Sequence, residues 1–321
     1  MPSAAVQFLA IARLAAIEAM RRPVFLLVSL SCIAGIVLMP LLLNYTLGDS
    51  ARIIRDSALA LYFVGGLLLA AHAAGESLSR ELRRGTAAAI LAKPVSRAVF
   101  FLAKAAGVAG AVSLYSVAAL AATLLAVRAG TSDLRLDWAA ALPALLALVV
   151  APALAGAWNH RTRRPFPSAA FFLLLFFLLL AVGVSAFFRT PLDHLAFPGN
   201  FPWSILGVGL LLFFCLGMVV AFAAALATRL AVTPVLLLCA GFFLFGLMGD
   251  YLLGPHLGES LAARAAYAVL PNVQAFWLLD ALDAAAGIPA SYVALSAAYA
   301  AAWSAAVLVL GIVSFQSLEI S

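Results

Sequence analysis

Long uninterrupted apolar runs alternate along the chain with short polar breaks, and this pattern predicts the elements. Residues 24–43 and 168–188 are the clearest runs. Each is about 20 residues, and at ~1.5 Å per residue such a helix covers a hydrocarbon core of roughly 30 Å. The same pattern predicts eight spans, at residues 24–43, 57–75, 98–127, 139–158, 168–188, 204–227, 235–253 and 291–314. A β-barrel would alternate apolar and polar residues within short segments. The unbroken runs call instead for helices, which satisfy their own backbone hydrogen bonds inside a bilayer. The expected fold is an all-α polytopic membrane protein forming a single transmembrane domain over residues 1–321.

Composition strengthens this reading. Of 321 residues, 66% are hydrophobic and only 10% are charged. Too few polar residues remain to cover that much apolar surface in water. The N-terminus does not resemble a cleaved signal peptide, because its first long apolar run follows Pro23 and exceeds an h-region in length. Cys32, Cys215 and Cys239 all lie inside apolar runs without CxxC spacing and are read as packing residues.

The formal charge of +6 is explained by where the basic residues fall. With the N-terminus in the cytoplasm, the inner segments hold 13 of the 19 Lys and Arg residues, including Arg21, Arg22, Arg80, Arg83, Arg84, Arg161, Arg163 and Arg164. The outer segments hold six, Arg52, Arg55, Arg128, Arg135, Arg189 and Arg264, most of them accompanied by aspartates. This bias obeys the positive-inside rule. It places both termini in the cytoplasm of a multi-pass inner-membrane protein, and no nucleic-acid partner is needed to account for the charge.

Three segments are neither spans nor short loops. Residues 3–22 read as a helix, with Phe8, Ile11, Ile17 and Met20 suited to the headgroup region or to a plain extension of the first span. Residues 76–97 read as two short cytoplasmic helices. Glu76–Arg80 and Glu81–Arg84 are i,i+4 and i,i+3 pairs. Gly85 suits a helix end, Thr86 suits the cap of a short apolar helix over residues 87–92, Pro94 stops it, and Ser96 caps the third span. The apolar face, with Ala88 and Leu91, lies beside the charged one, as a docking surface would. Residues 254–290 read as outer-leaflet helices over 260–270 and 272–283. There Phe276 and Trp277 suit an interface and Asp280 and Asp283 share one face.

Sites of chemistry are scarce. No GxxxxGK[ST], HExxH or GxSxG motif occurs, and His72, His160, His194 and His256 sit in four different regions. No catalytic residue and no metal site is expected, and the chain is not expected to be an enzyme. His72 stands out as the ionisable residue well inside a predicted span, so the carboxylates of an ion-coupled carrier are not evident.

Against this background, the loop after the second span resembles the membrane subunits of type-two ABC transporters. The matching residues are Glu76-x-x-x-Arg80-Glu81-x-x-x-Gly85-Thr86, then Leu91-Ala92-Lys93-Pro94-Val95-Ser96-Arg97, then Lys104. Bacterial members share Leu270-Pro271-Asn272-x-x-Ala275-Phe276-Trp277, then Ile288-Pro289-x-x-Tyr292 and a last span ending at Phe315. The helix before the first span is similar to the family's interfacial elbow. Two features depart from the family: eight spans rather than six, and Gln316-Ser317-Leu318-Glu319 after the last span in place of the usual arginine.

The resemblance implies an exporter permease that pairs with a separate ABC ATP-binding subunit and with a second permease copy, as a homodimer or heterodimer. ATP and Mg would be bound by the partner subunit, with no cofactor in this chain. The 76–97 loop would be the coupling element. Independently of the resemblance, the length and breaks of residues 254–290 suit either an outer gate or a structural cap. A secondary transporter, or a membrane scaffold that transmits motion without moving cargo, are the alternatives.

Overall fold

The computed structural model describes residues 3–43, 50–83, 96–130, 136–163, 165–189, 193–194, 201–258, 260–283 and 287–317. Among these, the chain is built from α1 (Ala4–Met20), α2 (Pro23–Leu42), α3 (Ser50–Arg83), α4 (Arg97–Ala129), α5 (Trp138–Thr162), α6 (Phe166–Ser185), α7 (Ile205–Ala227), α8 (Val232–Leu247), α9 (Gly249–Leu253), α10 (Leu261–Val269) and α11 (Ala290–Gln316). A two-residue antiparallel pair, Phe188–Arg189 with Asp193–His194, follows α6. Seven of these helices, α2 to α7 and α11, are long and apolar enough to cross a bilayer. The protein is an all-α, multi-pass membrane protein.

The seventh predicted span is bent, although its two helical pieces together still have the length and hydropathy of a span. Residues 235–253 do not form one straight helix: α8 ends at Leu247, and the helical stretch resuming at Gly249 is bent from it by 66°. Met248, at φ −97° and ψ 5°, leaves the helical region and makes the break. The second predicted span, 57–75, falls short at both ends, since α3 covers 34 residues. Its first turns stay helical because Arg55 pairs with Asp56 at 2.9 Å and Arg52 reaches the same carboxylate at 3.8 Å. The predicted helix over 272–283 is instead two 3-10 turns, Val273–Phe276 and Asp280–Asp283.

The chain packs as two compact units. One comprises residues 16–69 and 110–209. Here α5 and α6 form a hairpin. Asp137 caps α5 by accepting from the Ala139 amide at 3.0 Å, and Arg163 ends it in the left-handed conformation at φ 55°. The buried seam of α5 is alanine throughout: Ala140, Ala144, Ala147, Ala151 and Ala155. Small residues at this spacing let helices approach closely in a membrane. Pro23 starts α2 at a position where its missing N–H costs nothing. Phe25 then meets Phe171 of α6 edge-on at 5.1 Å. Deeper in this unit the Tyr115 hydroxyl donates to the Tyr62 carbonyl at 3.1 Å. A Cβ on Gly65 would fall onto that hydroxyl and lie 2.7 Å from the Cys32 sulfur, so this crossing accepts only glycine.

The other unit comprises residues 1–15, 70–109 and 210–321. Phe222, Phe242 and Trp303 stack as a cluster, with centroids 4.6 Å apart for the first pair and 5.2 Å for Phe242 and Trp303. Gly75 lies against the Val232 backbone, where an added Cβ would sit 3.2 Å from its Cα. Gly311 of α11 lets Phe101 and the Ala225 backbone come close.

Candidate functional site

Three clusters of polar residues stand out, and they differ in how far the sequence foreshadows them. The first frames the predicted coupling segment. On α3, Glu76 pairs with Arg80 at 2.9 Å, as their i,i+4 spacing predicts. The helix continues through Glu81 to Arg83. Arg84, Gly85, Thr86, Ala88, Leu91 and Pro94 lie outside the described residues. Beyond them, the Val99 amide donates to the Ser96 hydroxyl at 3.2 Å, so Ser96 caps α4 as expected.

Beside that cap, the C-terminal end of α11 is held by arginines from two other helices. Arg97 donates to the Gln316 carbonyl at 3.0 Å. Arg229, just past α7, donates to the Ser314 carbonyl at 3.1 Å and to the Ser317 hydroxyl at 2.6 Å. A helix C-terminus carries unsatisfied carbonyls and partial negative charge, so cations there are favourable. The basic residue missing after the last span is thus supplied from elsewhere in the fold. Phe315 is fully buried and stacks on Phe100 at 6.0 Å. Lys104 is also buried, with its ammonium 5.9 Å from the Phe100 ring centre.

The second cluster is built by residues 250–299. Ser260 caps α10, accepting from the Ala263 amide at 3.3 Å, and Arg264 donates to the Leu257 carbonyl at 2.6 Å. Asn272 caps the first 3-10 turn by accepting from the Ala275 amide at 3.3 Å. The Tyr292 hydroxyl donates to the Ala275 carbonyl at 2.8 Å. In an α-helix that carbonyl would serve the amide four residues on, which is one physical reason the turn does not propagate. The Tyr299 hydroxyl accepts from the Asn272 amide at 3.2 Å, and the Trp303 indole donates to the Val269 carbonyl at 3.3 Å. Three aromatic residues of α11 thereby strap this segment down.

Of the residues predicted for an outer gate, Phe276 is wholly buried, 6.2 Å from the Tyr299 ring centre, rather than facing an interface. Trp277 lies half-buried, 6.0 Å from the Phe243 ring centre. Asp280 is exposed, and Asp283 ends the second 3-10 turn. Between this segment and the first turns of α11 opens a cavity of about 490 Å³, walled by Tyr267, Asn272, Phe276, Tyr292, Ser296 and Tyr299 among others. At its margin the Tyr267 hydroxyl donates to the Asp250 carboxylate at 2.6 Å. That bond, first, and partial burial hold the Tyr267 phenol above its ordinary pKa.

The third cluster is one that sequence reasoning missed. Arg128 and Asp137, both counted as outer-loop charges, form a buried ion pair at 3.1 Å, each side chain only 5% exposed. Arg128 also donates to the Ser185 carbonyl at the end of α6 and lies over the Phe201 ring, 4.9 Å from its centre. The Ser185 hydroxyl donates to the Ala139 carbonyl at 2.8 Å. The available signal was the short, partly apolar connection between the two charges, closed by the Gly130–Leu136 bridge. The network ties the ends of α4, α5 and α6 together and leaves no exposed reactive group. Its geometry fits a structural clamp.

No protein-family model matches the chain, and no curated protein matches it.

Proposed function

We propose that this protein is the permease subunit of an ATP-driven ABC exporter, coupled to a separate ATP-binding subunit. The observation that carries the reading is the position of the motif over residues 76–97. Its acidic-basic half ends α3, its Ser96 caps α4, and both are membrane-length helices. A connection between two long helices is where a push from an attached ATPase would be passed into the bilayer. Arg97 extends the route, because its guanidinium holds the end of α11.

In this reading the protein sits in the inner membrane with both termini cytoplasmic, and two permease copies assemble with two ATPases. The coupling surface comprises Glu76, Arg80, Glu81, Arg84, Gly85, Thr86, Ala88, Leu91, Pro94 and Arg97. The 254–290 segment lies at the outer end of the pathway. Phe276 anchors it to α11, and Trp277, Asp280 and Asp283 follow at its edge. ATP and Mg bind the partner, which supplies the energy that this chain has no motif to harvest.

The test is assembly with a cognate ABC ATP-binding subunit, the Walker-motif ATPase that this reading requires. Glu81→Arg and Ala88→Trp should each reduce co-purification of that ATPase by about tenfold, the order of one lost hot-spot contact, while membrane insertion is unchanged. Full assembly in both variants would remove the 76–97 segment as the coupling surface.

A further inference from the structure

The cavity at the start of α11 is unlike a lipid-facing groove in one respect. A groove between α5 and α6, walled by Pro143, Leu146, Phe177 and Leu180, is lined by apolar residues alone. The α11 cavity of about 490 Å³ has aromatic walls and two polar groups set among them, Ser296 and Asn272. This size and makeup, a mostly apolar cleft with a few convergent polar groups, are those of a small-molecule site.

Ser296 is the informative residue. It is only 7% exposed. Buried hydroxyls in apolar helices usually return to the carbonyl one turn back. Ser29, Ser116 and Thr123 do so here, at 2.6, 2.9 and 2.9 Å. Ser296 makes no such bond among the described residues, and its hydroxyl is left to the cavity that it lines. Its hydroxyl is reachable from the cleft, and once lipid covers the opening an unpaired hydroxyl there is costly, so the site suits an acceptor that arrives from outside. Asn272 commits its carbonyl oxygen to the Ala275 amide, which leaves its NH₂ as a second donor at the same wall. The tyrosine hydroxyls are engaged with Asp250, Ala275 and Asn272, so those residues offer chiefly their ring faces. No Lys or Arg is among the lining residues, so a phosphate is not what the cleft is shaped to hold.

We infer that this cleft binds one ester-linked acyl chain of a membrane lipid, with the chain against Leu270, Tyr292 and Leu295 and an ester carbonyl accepting from Ser296 and Asn272. The headgroup remains outside. Leu295 at the rim is 71% exposed, so the cleft opens onto the surface that a bilayer covers. Tyrosines and tryptophans clustered at one end of a span mark the interfacial zone where ester groups reside. The site is independent of how the protein is powered.

The experiment is a native mass-spectrometry titration of delipidated protein with diacyl phosphatidylcholine and with its di-ether counterpart, which lacks the carbonyls. Wild type should bind one diacyl lipid, about three- to tenfold more tightly than the ether lipid, the range of one or two net hydrogen bonds. Ser296→Ala, nearly isosteric, should bind the two lipids with closer affinities. Ala275→Phe, which fills the cleft, should lose the single tight site. Equal binding of ester and ether lipids by wild type, or a tight site that survives in Ala275→Phe, would overturn the assignment.

Discussion

Helices α4 and α11 have the same mean hydropathy, yet 67% of the most apolar stretch of α4 is buried in the protein and only 11% of that of α11. Side-chain size does not separate the two helices, since both are rich in alanine; the difference lies in how many of those small residues are covered. Along α4, Ala103, Ala111, Ala118, Ala119 and Ala122 are all buried, so neighbours approach from several sides. Along α11 the buried positions form one narrow seam, Ser296, Ala300, Gly311 and Phe315, while Leu295, Val309, Leu310 and Val313 point outward. In water, apolar surface must be covered by protein. In a bilayer lipid covers it, so hydropathy places a helix in the membrane, small residues permit close contact, and the fold sets which of them meet a neighbouring helix.

The largest expected effect comes at the end of α4, where the contrast with exposed α11 is greatest. Arg128→Met leaves the Asp137 carboxylate buried without its cation and should cost about 3–5 kcal/mol in unfolding measurements. The double change Arg128→Met with Asp137→Asn keeps the α5 cap and should recover most of that loss. A single variant as stable as wild type would show that the clamp carries little.

Packing comes next. Ala119→Leu, at a fully buried site on α4, should destabilise by about 1–3 kcal/mol through overpacking. Ala302→Leu, at an exposed site on α11, should stay within about 0.5 kcal/mol. Paired thermal melts in one detergent check both, and equal losses would erase the distinction between the two helices.

The smallest effect is one of pH. The Tyr267–Asp250 bond requires the neutral phenol, whose pKa is raised in the folded protein. Its contribution is therefore present below the ordinary tyrosine value of about 10 and is lost as pH rises through the folded value. In an ultraviolet titration Tyr267 should ionise late, and Asp250→Asn should move one late-ionising tyrosine earlier. No change in Asp250→Asn would assign the shift elsewhere.

The comparison also explains what the sequence could disclose. Spans such as 24–43, 98–127, 204–227 and 291–314 lie within a few residues of α2, α4, α7 and α11, because twenty apolar residues have one low-energy arrangement in lipid. The Glu76–Arg80 pair and the Ser96 cap were legible because both depend on short sequence separations. The break at Met248 was only hinted at, by Gly246, Gly249 and Asp250 around it, because hydropathy averaged over a span does not register a backbone bend. The Arg128–Asp137 pair was hidden because counting charges by loop treats each as solvated, whereas both are buried against each other and Arg128 also donates to the Ser185 carbonyl. The 3-10 turn over 273–276 is held by hydroxyls of α11, residues distant in sequence and silent in any local pattern.

The most direct test of the proposed role measures ATP turnover by a cognate ABC ATP-binding subunit with this permease in proteoliposomes. The account predicts that wild-type permease stimulates hydrolysis and that Ala88→Trp, inserted equally well, abolishes the stimulation. Turnover indifferent to the permease, wild type or variant, would contradict it.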